Sequence, residues 1–211
     1  MNTNQHLENL SEIRNIMEKS TKFISLSGLS GVSAGIVALI GSVFAFFKMN
    51  MSFSSYENEN GDHIIYNMTE SSKQELIVLA LIILFIALSV GGLFTYLKTK
   101  KNTNLVWTST SKKLLINLLI PLVTGGIFCL LLIKYEFYGL LAPATLIFYG
   151  LACLNASHYT LSDIRYLGIF NLVLGLLNAY FIGYGLIFWA IGFGVLHIVY
   201  GSIMYFKYDR K

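Results

Sequence analysis

One ionisable side chain falls well inside an apolar stretch of this sequence. His197 sits in LIFWAIGFGVLHIVYGSIMYF; the nearest charged residue after it is Lys207, ten positions on, and the nearest before it is Arg165. An imidazole at membrane depth has several chemistries open to it. It can relay a proton, contact a ligand, or ligate a metal or haem iron. It can also be a neutral ring hydrogen-bonded to Asn171, a tyrosine or a backbone carbonyl. Haem would need a second axial ligand at matching depth, and His158 is placed too near the membrane surface to supply one. Side-chain amides accompany the histidine. Asn171 and Asn178 share one helix face with Gly168 and Gly175, at steps of 3, 4 and 3. Asn117 and Thr124 flank Pro121, where the missing N–H loosens a helix. Asn155 lies near the end of its apolar run. His197, Asn171, Asn178, Asn117 and Asn155 are the ligand-binding candidates. No catalytic residue, metal site or cofactor is expected.

Other chemistry is missing from the pattern. There is no H-E-x-x-H, no P-loop, no nucleophile elbow and no dinucleotide-binding glycine run. No acidic residue lies in the interior of an apolar span, which argues against a carboxylate-driven pump. Cys129 and Cys153 lie inside apolar runs, where thiols act as small hydrophobes.

The elements that hold these residues are apolar and long. The 211 residues are 55% hydrophobic and 12% charged, with mean hydropathy +0.64. Soluble domains carry about 25% charged residues. A helix needs roughly 20 apolar residues to cross a bilayer. Six spans are predicted, at about 22–47, 75–97, 114–133, 139–158, 164–182 and 184–206, with an external loop at 48–74. The expected fold is therefore all-α: an integral membrane bundle of six transmembrane helices (22–206), a cytoplasmic amphipathic segment (1–21) and a cytoplasmic tail (207–211). Leu10, Ile13 and Met17 recur at helical spacing within 5–20, which predicts a short surface helix. A cleavable signal peptide is not expected, because the first 20 residues are polar and carry both charge signs. Asn60-Gly61 predicts a tight turn and a short hairpin in the 48–74 loop. FIGYG predicts a hairpin between spans five and six. Thr160 and Asp163 have the spacing of a capping box opening span five.

Basic residues orient the bundle. Arg14, Lys19, Lys22, Lys98, Lys100, Lys101, Lys112, Lys113, Arg165, Lys207, Arg210 and Lys211 fall on one side. The other three of the 15 basic residues, Lys48, Lys73 and Lys134, fall on the opposite side. Both termini are thus expected in the cytoplasm. The loop KTKKNTNLVWTSTSKK, with Trp107, reads as a lipid-facing basic segment and not as a nucleic-acid site.

The first span begins SLSGLSGVSAGIVALIGS. On a helix its small residues, including Gly28, Gly31, Gly35 and Ala38, fall on one half and its large ones on the other. Lipid gives no hydrophobic reward for joining helices, so a small face serves close backbone approach. Packing within the chain is favoured over packing between chains. Gly168 and Gly175 on span five, with Gly194 and Gly201 on span six, predict an antiparallel five–six pair.

The start Glu18-Lys19-Ser20-Thr21-Lys22-Phe23, running into that small-residue span, and the end YGLIFWAIGFGVLHIVYGSIMYFKYDRK together resemble a family of integral membrane proteins from Bacteroidota. The resemblance covers nearly the full chain. It implies a bacterial inner-membrane location and brings no activity, cofactor or catalytic residue. Three functional readings stand in order. The first is a non-enzymatic membrane protein that binds or senses a small ligand or scaffolds a membrane partner. The second is a small oligomeric transporter or channel with an Asn/His-lined path. The third is a membrane enzyme or haem protein using His197. Expected partners are membrane lipids, and a second copy of the chain or another membrane protein; nucleic acid is not expected.

Overall fold

A computed structural model describes residues 27–52, 70–101 and 108–210. The predicted amphipathic helix at 5–20, the Asn60-Gly61 hairpin and the segment around Trp107 lie outside the described residues. Within them the chain is all-helical: α1 Gly28–Ser52, α2 Glu70–Lys101, α3 Ser109–Lys134, α4 Leu141–Ala156, α5 Ile164–Tyr180 and α6 Gly185–Asp209. A 3-10 turn, Tyr138–Leu140, leads into α4. Five helical stretches are long and apolar enough to cross a membrane: those of α1, α2, α3, α6, and α4 with its 3-10 turn. The remaining helix, α5, is apolar but has 17 residues.

Several expected boundaries shift, as α1, α2, α3 and α6 run past their apolar stretches. The 48–74 loop is shorter, because α1 continues through Lys48 to Ser52 and α2 already starts at Glu70. Backbone hydrogen bonds carry a helix past the end of its apolar stretch. An ion pair between Lys48 and Glu75, at 2.6 Å, joins the extended end of α1 to α2. The capping box also sits elsewhere. Asp163 is helical in its backbone and makes no cap bond. Its carboxylate instead accepts from Lys207 Nζ at 3.0 Å and from the Tyr208 hydroxyl at 2.7 Å. The reciprocal cap belongs to α3, where the Thr108 and Ser111 side chains bond each other's backbone N–H.

The small face of α1 packs within the chain, antiparallel to α6. A methyl group on Gly28 would lie 2.6 Å from the Gly201 carbonyl oxygen, and one on Gly35 would lie 2.7 Å from the Gly194 oxygen. Ala38 is buried further along α1. The predicted five–six pairing of glycine faces does not occur. Gly168 and Gly175 of α5 meet Gly150 and Ile147 of α4, while Gly194 and Gly201 of α6 meet α1. The reason is reciprocity. Closest approach needs a small residue on both helices, and Gly150 matches Gly168 just as Gly28 and Gly31 match Gly201. The short link between α5 and α6 does form a tight turn, with Gly183 at φ +106°. That link fixes their adjacency and leaves their facing surfaces open.

On the other side of α1, α2 brings Ile83 against Gly41. Its outward Leu81, Phe85 and Leu88 are exposed. On the far side, α3 packs on α4 through Gly125 and the ring of Phe148. It stays helical through Pro121.

Three helices are tied at one end by Asp209. Its carboxylate accepts from the Gly28 N–H at 2.9 Å and the Ser27 hydroxyl at 3.4 Å, and pairs with Lys98 at 2.5 Å. The start of α1 is thus capped by an acid from the end of α6, where a helix N-terminus favours negative charge.

Candidate functional site

His197 is buried at 7% exposure, and both of its ring nitrogens are engaged. Nδ1 lies 2.9 Å from the Gly192 carbonyl oxygen and Nε2 lies 2.6 Å from the Tyr149 hydroxyl. A carbonyl only accepts, so Nδ1 carries the proton. No acid flanks the ring among the described residues, so the neutral ring, with Nε2 accepting from Tyr149, is the form this site holds.

The local fold of α6 makes the first of these bonds available. Residues Ala190–Val195 form a π turn, and the Leu196 N–H reaches back five residues to Ile191. A continuous α-helix would give Leu196 to Gly192. The wider turn releases the Gly192 carbonyl for the imidazole. Such turns recur at functional sites. The second partner comes from α4, which α5 and α3 hold in place. Trp189, Phe193 and His197 descend one face of α6 at steps of four. Phe193 stacks on His197 at 5.9 Å and 22°, and packs at 5.0 Å on both Tyr149 and Trp189. Of the neutral partners expected for His197, a tyrosine and a backbone carbonyl are the ones it has; Asn171 is not.

Polar groups continue from this centre in both directions along the seam of α4, α5 and α6. Toward the Asp209 end, Tyr149 and Tyr200 pack against Cys153, Ile164 and Leu167. The Tyr200 hydroxyl is buried and has no partner. It lies within electrostatic reach of Cys153, Asp163 and Tyr208. Toward the other end, Asn171 is fully buried. Its Nδ2 donates to the Leu167 carbonyl at 2.9 Å and its Oδ1 has no partner. That oxygen faces Gly192, where an added methyl would be 2.8 Å away. Two turns further on, Asn178 is fully buried with neither amide atom paired. Among the described residues these are the buried side-chain atoms without partners, and all of them fall on this one seam. Leu146, wholly enclosed, packs between the two amides and touches the positions of both Gly192 and Gly175.

The other candidates lie apart from the seam. Asn117 turns back on its own helix, donating to the Lys113 carbonyl at 2.8 Å, and Thr124 does the same to Ile120. Asn155 is exposed on α4, and His158 is exposed in the turn that follows. Among the described residues no three His, Cys, Asp or Glu side chains gather as a metal-binding group. A largely apolar groove of about 230 Å³ between α1 and α6 is walled by Phe46, Phe47 and Ile187; its one polar residue, Ser42, donates its hydroxyl back to the Leu39 carbonyl. Sequence reading passed over Tyr149, Tyr200, Leu146 and Asp209. The one available signal was position: Tyr149 and Tyr200 lie inside their spans, away from the interfaces where tyrosines usually anchor.

The described residues form a helical bundle with several helices long and apolar enough to span a bilayer, as in a membrane protein. Nothing matches the chain among protein-family models, curated proteins or solved structures.

Proposed function

We propose that the chain is a six-span protein of the bacterial inner membrane, with both termini in the cytoplasm, and that it works without catalysis by binding a small ligand in the α4–α5–α6 seam. The sixth span is α5. At about 1.5 Å per residue its 17 residues reach about 26 Å, just short of a hydrocarbon core of roughly 30 Å. It runs antiparallel to α4, with Gly168 and Gly175 set into that helix. Orientation rests on the basic residues, since Lys98, Arg165 and Lys207 belong to the end that also carries Asp163 and Asp209.

The observation that carries the binding reading is the set of unpaired atoms on Asn171, Asn178 and Tyr200. A buried polar atom without a partner costs about 1–3 kcal/mol. A neutral molecule offering both a donor and an acceptor would recover that loss once α5 eases off α4. His197 takes part as a wall, because both of its nitrogens already have protein partners. This also argues against the haem reading, which needs a free nitrogen.

Native mass spectrometry of protein released gently from detergent tests the binding. A retained small molecule that disappears in Asn178→Leu supports it. A bare chain, unchanged by that substitution, refutes it and leaves the scaffold reading in front. Cysteine labelling in intact cells tests the orientation. Lys134→Cys is expected to react with an impermeant maleimide, and Lys207→Cys is not.

A further inference from the structure

The seam sets its polar groups in one file, with hydrogen bonds from Tyr208 to Asp163 and between Tyr149 and His197. From the basic end the groups are Asp163 with Tyr208, Tyr200, Tyr149 with Cys153, His197 and Asn171; past Leu146 comes Asn178. From Asp163 to Asn178 the file covers about 22 Å of helix rise. Among the described residues, every buried side-chain nitrogen or oxygen that lacks a partner lies on it. The file is unbonded at the Tyr200 hydroxyl and the Asn171 oxygen, and an apolar side chain, Leu146, is wedged across it between α5 and α6. Apolar constrictions of this kind close a pore by excluding water.

We infer that the α4–α5–α6 seam is a closed proton path, with His197 as its relay and Leu146 as its plug. This goes beyond the binding reading and rests on it only in taking the seam as the working part of the protein.

The transfer balances with water as the sole co-reactant. A proton arriving from the Tyr200 side lands on the Tyr149 oxygen as the hydroxyl's own proton passes to His197 Nε2. The ring is then charged at both nitrogens. When Leu146 withdraws, water enters beside Asn171; the charged ring turns toward it, gives up the Nε2 proton and turns back, so that Nδ1–H again meets the Gly192 carbonyl and Nε2 again accepts from Tyr149. One proton has entered and one has left. The unpaired Asn171 and Tyr200 oxygens are the groups that would hold the intervening waters. Around the ring, α4 presents Tyr149 and Cys153, α5 presents Asn171, α1 approaches through Gly31, and α6 itself adds Tyr200. The nearest charged groups on the file are Asp163 and Lys207, at its end.

Flux into vesicles tests the inference. The full chain is placed in phosphatidylethanolamine–phosphatidylglycerol vesicles holding a pH-sensitive dye, and a potassium gradient with valinomycin drives protons inward. Leu146→Ala is expected to raise proton flux about tenfold over wild type, as when roughly 1.4 kcal/mol is removed from a barrier. Adding His197→Phe is expected to return the flux to the wild-type level. Circular dichroism and gel filtration check folding, with Leu146→Val and His197→Gln replacing any variant that does not fold. Flux that stays at the wild-type level when the plug is trimmed overturns the path. So does a raised flux that survives loss of the imidazole, because that is a leak through a disturbed bilayer. Failure of ligand retention in mass spectrometry leaves this result untouched, so the two readings fall separately.

Discussion

Gly35→Ala is the sharpest probe of how this bundle is held together. The added methyl would lie 2.7 Å from the Gly194 carbonyl oxygen and 2.9 Å from the Ile198 nitrogen, both backbone atoms of α6. Backbone cannot turn aside as a flexible side chain can. Ordinary contact begins near 3.4 Å, so α1 and α6 must part by about 0.7 Å, the difference between 3.4 and 2.7 Å. A gap of 0.5–1 Å forfeits roughly a quarter to a half of the dispersion well for every atom pair along the seam. Overpacking of this kind costs about 1–3 kcal/mol. For a chain of this size each kcal/mol lowers Tm by about 2–4 °C. The control is Gly92→Ala on α2, the same chemical change at a glycine with no neighbouring atom within 4 Å. Ile36→Leu, on the exposed side of α1, is a second control and should be almost silent. The assay is thermal unfolding in detergent, followed by fluorescence-detected gel filtration. Gly35→Ala should melt several degrees lower while both controls track wild type. Equal melting of Gly35→Ala and Gly92→Ala would refute the argument that close glycine contact joins α1 to α6.

Three further outcomes follow from the same geometry. Tyr149→Phe leaves His197 Nε2 buried and unpaired, and should lower stability by about 1–3 kcal/mol; His197→Phe/Tyr149→Phe should lose less than the sum of the single changes, which a double-mutant cycle in detergent will measure. Asp209→Asn removes the ion pair to Lys98 and weakens the cap on Gly28; Tm should fall, and in the Lys98→Met background, where only the cap is left to weaken, the same change should cost less. Asn178→Leu replaces an unpaired buried amide with an apolar side chain of similar volume and should raise the melting temperature of ligand-free protein, the reverse of the usual sign for a core substitution.

How much of this was legible beforehand differs by feature. Helix positions were readable because a bilayer demands long apolar runs and a helix satisfies its own backbone. Gly31 and Gly35 were readable as a packing face, since segregation of small residues is a property of one helix. Their partner was not readable. Gly194 and Gly201 form an equally small stripe, and so do Gly168 and Gly175; nothing local to either says that the first pair takes α1 and the second takes α4. The choice depends on which pairs of backbones can reach closest approach at once.

The site divides in the same way. His197 stood out from its position alone, because an ionisable group in an apolar span is rare. That it holds the neutral Nδ1–H form follows from Tyr149, 48 residues away, and from a π turn that releases the Gly192 carbonyl. Asn171 and Asn178 were visible as a polar stripe, but only the packing of α4 shows that their amide atoms go unpaired and that Leu146 stands between them. Asp209 is one acid among Lys207, Arg210 and Lys211, with no local sign of a role; it caps α1 because the return of α6 brings it there. By itself the sequence determined which segments form helices, which faces are small and where a titratable group is buried, since each of these depends on spacing along one helix. Only the tertiary structure decided which faces meet, which polar atoms find partners and where the file is blocked, since each of these depends on two or more helices at once.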